Sequence, residues 1–153
     1  TQKWVLSEDK LFATLGTSVG KMYIENTYSE DGNYIKHKDI LINDTIGFIR
    51  DLPPNLVKAF ASTLEDSIES KLLLHVIDAS DPKVEEKIQV VDDILQDIKA
   101  TQKKLYVFNK IDLITEEKRL ELQEKFAELN PIFISTYSNT GIWDLKEIIT
   151  FAS

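Results

Sequence analysis

Apolar residues along this chain fall into short continuous runs and helical stripes, which predict alternating strands and helices. The clearest runs are residues 72–78 and 104–108, and each has the length of a buried strand. Between them, apolar positions recur every three or four residues, as on the core face of a helix: Val84, Ile88, Val91, Leu95 and Ile98. Strands that alternate with helices from residue 72 onward indicate a parallel sheet with helices on both faces.

The last part of the chain continues the alternation. A charged helix is predicted from about residue 115 to 129, and its inward positions are Leu122, Phe126 and Leu129. Residues 131–135 are predicted to form the last strand. A terminal helix then turns four apolar positions toward the core: Ile142, Leu145, Ile148 and Ile149.

The first half of the chain predicts a β-hairpin followed by one more helix. Residues 22–27 and 34–42 are rich in β-forming residues and flank Asp31-Gly32-Asn33, where Asp-Gly is a strong hairpin signal. The second strand ends in apolar residues, so we expect it to run from an edge into the sheet. Pro53-Pro54 then opens a helix whose buried face has a four-residue spacing: Leu56, Phe60, Leu64 and Ile68.

Composition and charge describe a single globular domain over residues 1–153. The chain is 42% hydrophobic and 29% charged, and no apolar run approaches the roughly 20 residues of a membrane span. The absence of cysteine excludes a disulfide framework and a thiolate metal site, and it fits a reducing cytosol. A net charge of -8 argues against direct nucleic-acid binding, because phosphate neutralisation needs clustered Lys and Arg.

Asn109-Lys110-Ile111-Asp112 follows the strand at residues 104–108, at the sheet edge where open α/β sheets bind ligands. The Asp112 carboxylate can accept hydrogen bonds from the N1-H and the 2-amino group of guanine, two adjacent donors that adenine lacks. Asn109 would brace the loop and reach the other edge of the base. The Lys110 stem would lie over the base plane, with its charge in solvent. The alternative is a polar turn with Asp112 as a helix cap.

Two further polar stretches follow predicted strands, Asp44-Thr45-Ile46-Gly47 and Ser135-Thr136. In a right-handed doubly wound sheet, both would open on the same edge as the loop of Asn109 and Asp112. Asp44 would hold magnesium through a water, because that ion keeps several of its waters. Gly47 would let a backbone N–H approach a terminal phosphate. Each stretch alone fits a plain turn, but their order and spacing favour one common site.

Two other features are interpreted as having no direct role in chemistry. The stretch from Gly16 to Met22 looks like a phosphate-binding loop, but three residues separate its glycines where four are needed, and Met22 occupies the hydroxyl position. His75 lies within an apolar run with no second ligand candidate near it in sequence. We therefore predict a satisfied core or edge histidine rather than a metal ligand.

Residues 11–15, 44–53, 72–81 and 107–112 together resemble the GTPase domain of the HflX family, translational GTPases that associate with the ribosome. The stretch 47–53, Gly-Phe-Ile-Arg-Asp-Leu-Pro, is the part specific to this family, and it disfavours a GTPase of the Obg or Era type. The resemblance implies a Ras-like P-loop NTPase G domain, with a mostly parallel α/β sheet, one antiparallel edge hairpin and helices on both faces. It also implies a cytoplasmic protein that hydrolyses GTP to GDP and phosphate with Mg2+, coupled to binding of the large ribosomal subunit.

The resemblance assigns roles to individual residues. Thr14 becomes the switch I threonine that closes on magnesium and the terminal phosphate, and Asp44 and Gly47 become switch II. Phe48 stands where many GTPases have a water-orienting Gln, which implies slow intrinsic hydrolysis. The family has a Ser-Ala pair whose backbone contacts the base oxygen. Ser135-Thr136 matches this pair, with Thr136 in place of the usual Ala. The guanine site as a whole is assigned to Asn109, Lys110, Asp112, Ser135 and Thr136.

The same resemblance places Thr1 just after the first helix of the G domain. The first strand, the phosphate loop and that helix would then be absent from residues 1–153, and we expect these residues alone to bind GTP weakly or not at all. The alternative function is a non-catalytic scaffold, a truncated or degenerate GTPase fold that binds no nucleotide. A phosphate-loop motif encoded upstream of Thr1 would favour the enzyme.

Overall fold

A computed structural model of the chain describes residues 18–28, 31–44 and 69–152. The predicted helix after Pro53-Pro54 and the site residues Thr14, Gly47 and Phe48 lie outside these ranges. In the part of the chain that the structure describes, no helix is long and apolar enough to cross a membrane.

Two antiparallel strands form the predicted hairpin. β1 (Ser18–Tyr28) pairs with β2 (Tyr34–Asp44) in a register that sets Tyr28 opposite Tyr34 and Ser18 opposite Asp44. The connection contains Gly32 at φ 78°, a left-handed conformation that glycine adopts without steric cost. Both strands are longer than their β-rich stretches, because the ladder continues through polar residues. The extended backbone from Ser18 onward agrees with our rejection of a phosphate loop there.

Among the residues that the structure describes, three parallel strands form the second sheet. β3 (Leu72–Asp78), β4 (Lys103–Asn109) and β5 (Ile132–Phe133) lie in the order β3-β4-β5. The parallel sheet, the antiparallel hairpin and the alternating helices confirm the predicted fold class. The apolar run of β3 predicted a buried strand, but among the described strands β3 pairs with β4 alone, and its Val76 is 60% exposed. The hairpin likewise forms a sheet of its own within those ranges.

β5 is shorter than the predicted strand at residues 131–135. The Ile134 N–H still donates to the Phe108 carbonyl, but the Ile134 carbonyl accepts from Ile111, in the turn after β4. Ser135 then leaves the sheet and pairs with Thr140 across a tight loop. The chain therefore turns away from β4 at the point where the predicted site begins.

In the described part of the chain, three helices accompany the parallel strands: α1 (Val84–Asp97), α2 (Glu116–Lys125) and α3 (Ile142–Ala152). α1 buries the predicted stripe at Val84, Ile88, Val91 and Leu95. It begins after Asp81-Pro82, because the Asp81 carboxylate accepts from the Lys83 N–H at 2.8 Å and holds a turn there. α2 ends at Lys125, earlier than predicted, and a 3-10 turn over Ala127–Leu129 completes its path.

The terminal helix departs from its predicted face at one position. Ile149 is buried as expected, but Ile148 is 36% exposed, so its predicted core position is wrong. Thr150 is buried instead, with 7% of its surface exposed, and its hydroxyl donates to the Lys146 carbonyl at 2.7 Å. A local hydrogen bond of this kind satisfies a buried hydroxyl. The pattern of apolar residues alone therefore does not predict that Thr150 is buried.

The core lies where β3 and β4 face α1 and α2. Phe108 is fully buried, and its ring centroid lies 5.6 Å from that of Phe126 and 5.3 Å from that of Phe133. Burying side chains of this size stabilises the fold by roughly 1.5 to 3 kcal/mol each. Because Phe108 immediately precedes Asn109, this packing fixes the end of β4. The cluster as a whole consists of Ile77, Ala79, Val84, Ile88, Tyr106, Phe108, Leu122 and Phe126.

His75 lies on this core face, beside Tyr106 at 5.6 Å between ring centroids. Burial lowers the pKa of His75 to about 4, despite the opposing effect of the Asp92 carboxylate 4.0 Å from its Nδ1. The ring is therefore neutral near pH 7, as expected of a core histidine. It is not fully satisfied, however, because its Nδ1 has no hydrogen-bond partner among the described residues.

Candidate functional site

The carboxyl ends of β3 and β4 lie side by side. Their parallel register pairs Asp78 with Asn109, and the Ala79 N–H donates to the Asn109 carbonyl at 2.9 Å. The loop after β5 contacts the same edge through Asn109, so two of the three predicted strand ends meet there. Asp44, the last residue of β2, belongs to the other sheet.

Asn109 braces the site as the sequence predicted. Its side-chain oxygen accepts from the backbone N–H of Lys110 at 2.8 Å and from that of Thr136 at 3.2 Å. Its amide nitrogen lies 3.4 Å from the Thr136 hydroxyl, to which it donates. One side chain thus joins the loop after β4 to the loop after β5.

Lys110 has the left-handed backbone conformation, with φ 65° and ψ 33°. This conformation costs a non-glycine residue roughly 1 kcal/mol or more, and such costs concentrate at ligand sites. The turn over Ile111–Leu113 follows directly, closed by the Leu113 N–H donating to the Lys110 carbonyl at 2.9 Å. The Lys110 ammonium pairs with a neighbouring carboxylate, since its Nζ lies 3.0 Å from Asp78 Oδ2, and 44% of the lysine side chain stays exposed to solvent.

Asp112 presents an exposed carboxylate whose Oδ1 accepts a hydrogen bond from the Ser135 hydroxyl. Ser135 is fully buried, and its Oγ also accepts from the Ser138 N–H at 3.0 Å. The hydroxyl therefore holds Asp112 in one orientation. The alternative role of Asp112 as a helix cap is not observed, because Thr115 caps α2 by accepting from the Lys118 N–H.

Thr136 is placed beside Asn109, but its backbone amide is already engaged. The N–H that we predicted to contact a base oxygen donates to Asn109 Oδ1 at 3.2 Å. The neighbouring Ser135 N–H donates to the Thr140 carbonyl at 2.9 Å. A nucleotide base at this position would have to share the Thr136 N–H with Asn109.

Asp78 is a site residue that the sequence reasoning missed. Its Oδ1 accepts from the backbone N–H of Ser80 at 2.9 Å and from the Ser80 hydroxyl at 2.6 Å, while Oδ2 pairs with Lys110. Burial raises the pKa of this carboxyl, but the bonds from Ser80 and Lys110 outweigh that effect and lower the pKa below its usual range. The available signal was a polar Asp-Ala-Ser-Asp stretch at a strand end.

Gly141 joins the loop after β5 to α3. Its φ is 71°, and a Cβ on this residue would lie 2.5 Å from the Phe133 carbonyl oxygen. The backbone of the loop therefore packs directly against β5, which is possible only without a side chain here. This close approach sets where Ser135 and Thr136 stand relative to β4.

The described residues contain no group of three or more His, Cys, Asp or Glu side chains arranged to hold a metal ion. Magnesium does not require such a group, because it keeps several waters and takes one or two carboxylates together with substrate phosphates. Asp44, to which the sequence analysis assigns a magnesium role, is the last residue of β2.

Comparison with known proteins gives consistent matches. The model of the Gtr1/RagA G protein conserved region matches residues 23–145. The chain is 40% identical over 147 residues to the GTPase HflX of Methanocaldococcus jannaschii, covering 94% of this chain and 34% of that protein. It is 35% identical over 152 residues to the GTPase HflX of Escherichia coli, covering 98% of this chain and 33% of that protein.

The structural comparison agrees with the sequence comparison. A crystal structure of a variant of SsGBP superimposes with a TM-score of 0.62 at 34% identity, covering 73% of this chain and 42% of that chain. The chain spans about a third of the length of the curated relatives that it matches.

Proposed function

The chain belongs to the HflX family of GTPases, with a Ras-like G-domain fold, and we propose that it binds guanine nucleotides at the ends of β4 and β5. The observation that carries this proposal is the exposed Asp112 carboxylate, held by the buried Ser135 hydroxyl through one of its oxygens. A fixed carboxylate is complementary to the N1-H and 2-amino donors of guanine. Asn109 supports it by holding the two loops together.

In the whole protein, the proposed reaction is hydrolysis of GTP to GDP and phosphate. Thr14 and Asp44 would hold magnesium, which when bound neutralises charge on the phosphates. Gly47 would allow a backbone N–H to approach the terminal phosphate. Phe48 cannot orient a water by hydrogen bonding, so we expect slow hydrolysis until a partner completes the site.

The proposed partner of the whole protein is the ribosome, in the cytoplasm, as the resemblance to translational GTPases implies. The charge of the chain, -8, disfavours RNA contacts spread over its surface. Contacts with the large ribosomal subunit would therefore come from a local patch or from another part of the protein.

Phosphate release from GTP and ATP by the whole natural protein tests the proposed reaction. We expect GTP to be hydrolysed, ATP to remain intact and chelation of magnesium to stop the reaction, because the base site selects guanine and the phosphates need the ion. Asp112→Ala serves as the control for the base site and should lose GTP turnover at low substrate concentration. A wild-type protein that binds no GTP would favour the scaffold instead.

A further inference from the structure

We propose that Asp78 is a positioning residue of the base site, which holds the Lys110 ammonium so that the lysine stem is fixed over the base. This inference rests on the proposed guanine site and adds a residue from the neighbouring strand β3. Its starting point is the 3.0 Å ion pair between Lys110 Nζ and Asp78 Oδ2.

The Asp78 carboxylate is itself held in place, as a tether must be. The backbone N–H and the hydroxyl of Ser80 both donate to Oδ1, at 2.9 Å and 2.6 Å, which leaves Oδ2 to face Lys110. The parallel register keeps Asp78 directly beside Asn109, the residue before Lys110. The pair is therefore built on two packed strands.

Lys110 needs such a tether because its side chain is long and flexible. An ordered lysine side chain loses up to about 2 kcal/mol of rotamer entropy, and a stem that wraps a ligand must lose that freedom on binding. A lysine already fixed by Asp78 has lost part of it beforehand, which favours binding. In the structure the Lys110 side chain reaches back to Asp78, the last residue of β3.

The same loop offers a matched control. Asp81 lies three residues after Asp78 and also carries an ion pair, with Lys87, while its Oδ1 accepts from the Lys83 N–H at 2.8 Å. Asp81→Asn removes a comparable charge from this segment. It leaves the pair between Asp78 and Lys110 in place.

A double-mutant cycle on the whole natural protein tests the tether, with the dissociation constants for GDP and for xanthosine diphosphate as readouts. We expect Asp78→Asn to weaken GDP binding roughly three- to fivefold, the upper range for a partly exposed ion pair. Xanthosine diphosphate should lose the same factor, because a stem over the base plane does not read the base edge. In a Lys110→Met background, Asp78→Asn should change either constant less than about twofold, and Asp81→Asn should do the same in the wild type.

Wild-type affinity in Asp78→Asn would overturn the inference, and so would an equal loss in the Lys110→Met background, which a general structural role predicts. If Asp78→Asn does not fold, Ser80→Ala removes one of the two bonds to Oδ1 and should weaken GDP binding about two- to threefold, again only when Lys110 is present. A wild-type protein that binds no guanine nucleotide would refute the proposed function and this inference together. Normal wild-type binding with an unaffected Asp78→Asn would refute this inference alone.

Discussion

Asp112→Asn should change the base preference of the site from guanine to xanthine. An amide can donate a hydrogen bond to the 2-oxo group of xanthine, but it cannot accept from the guanine donors as a carboxylate does. The side-chain oxygen of Asn can still accept from the Ser135 hydroxyl, so the orientation seen at Asp112 should persist. The variant loses a charge-assisted hydrogen bond to guanine and gains a hydrogen bond to xanthine. Together these changes should shift the affinity for xanthine relative to guanine by roughly 10²- to 10⁴-fold.

Competition between GDP and xanthosine diphosphate for a fluorescent guanine nucleotide measures this exchange. Asp97→Asn is a suitable control, because Asp97 is an exposed carboxylate at the end of α1. The control should keep the wild-type preference. If Asp112→Asn also kept it, the role of Asp112 at the base edge would be refuted.

Gly141→Ala should destabilise the fold by roughly 3 to 5 kcal/mol, among the largest effects expected of a single substitution. Alanine at φ 71° is strained by its backbone conformation alone. Its Cβ would also lie 2.5 Å from the Phe133 carbonyl oxygen, so either β5 or the start of α3 must shift. Because that shift moves Ser135, nucleotide binding should fall as well.

Gly32→Ala separates the cost of the strained backbone conformation from the cost of the contact between the Cβ and the Phe133 carbonyl oxygen. Gly32 also has a positive φ, 78°, but apart from its two chain neighbours a Cβ there would meet no atom of the described residues within 4 Å. We expect it to cost only about 1 kcal/mol, as the conformational penalty alone. The unfolding free energies of both variants, measured in denaturant, give the comparison. Equal losses would show that the contact with Phe133 does not contribute.

For the described residues, hydrophobic patterning was sufficient to predict the main strands and helices and most of the faces that they bury. Four of the five predicted core positions of α1 are buried, while Ile98 is half-buried at the C-cap, and β3 and β4 fall on the two apolar runs. Asn109 was also predicted to brace the loop after β4, and its side-chain oxygen accepts from the Lys110 and Thr136 N–H groups. The apolar runs, the helical stripe and the bond to Lys110 depend on residues close together in sequence.

The side-chain bonds that complete the site were not predictable in this way. The pairs between Asp78 and Lys110 and between Ser135 and Asp112 depend on the register of β3, β4 and β5, which apolar runs do not specify. Thr150 was missed for a related reason, since a hydroxyl bonded to the carbonyl of Lys146 can be buried despite its polarity. The register of the strands brings polar residues that are distant in sequence together at one site, and this register is visible only in the structure.

Calorimetric titration of the whole natural protein with GDP, inosine diphosphate and ADP tests most directly the claim that Asp112 recognises two guanine donors. Inosine keeps the N1-H but lacks the 2-amino group, and adenine offers neither donor to a carboxylate at this edge. We predict that GDP binds most tightly, that inosine diphosphate binds roughly 10- to 150-fold more weakly, and that ADP shows no binding. Equal affinity for GDP and ADP would contradict the account, and equal affinity for GDP and inosine diphosphate would contradict the assigned contact of Asp112 with the 2-amino group.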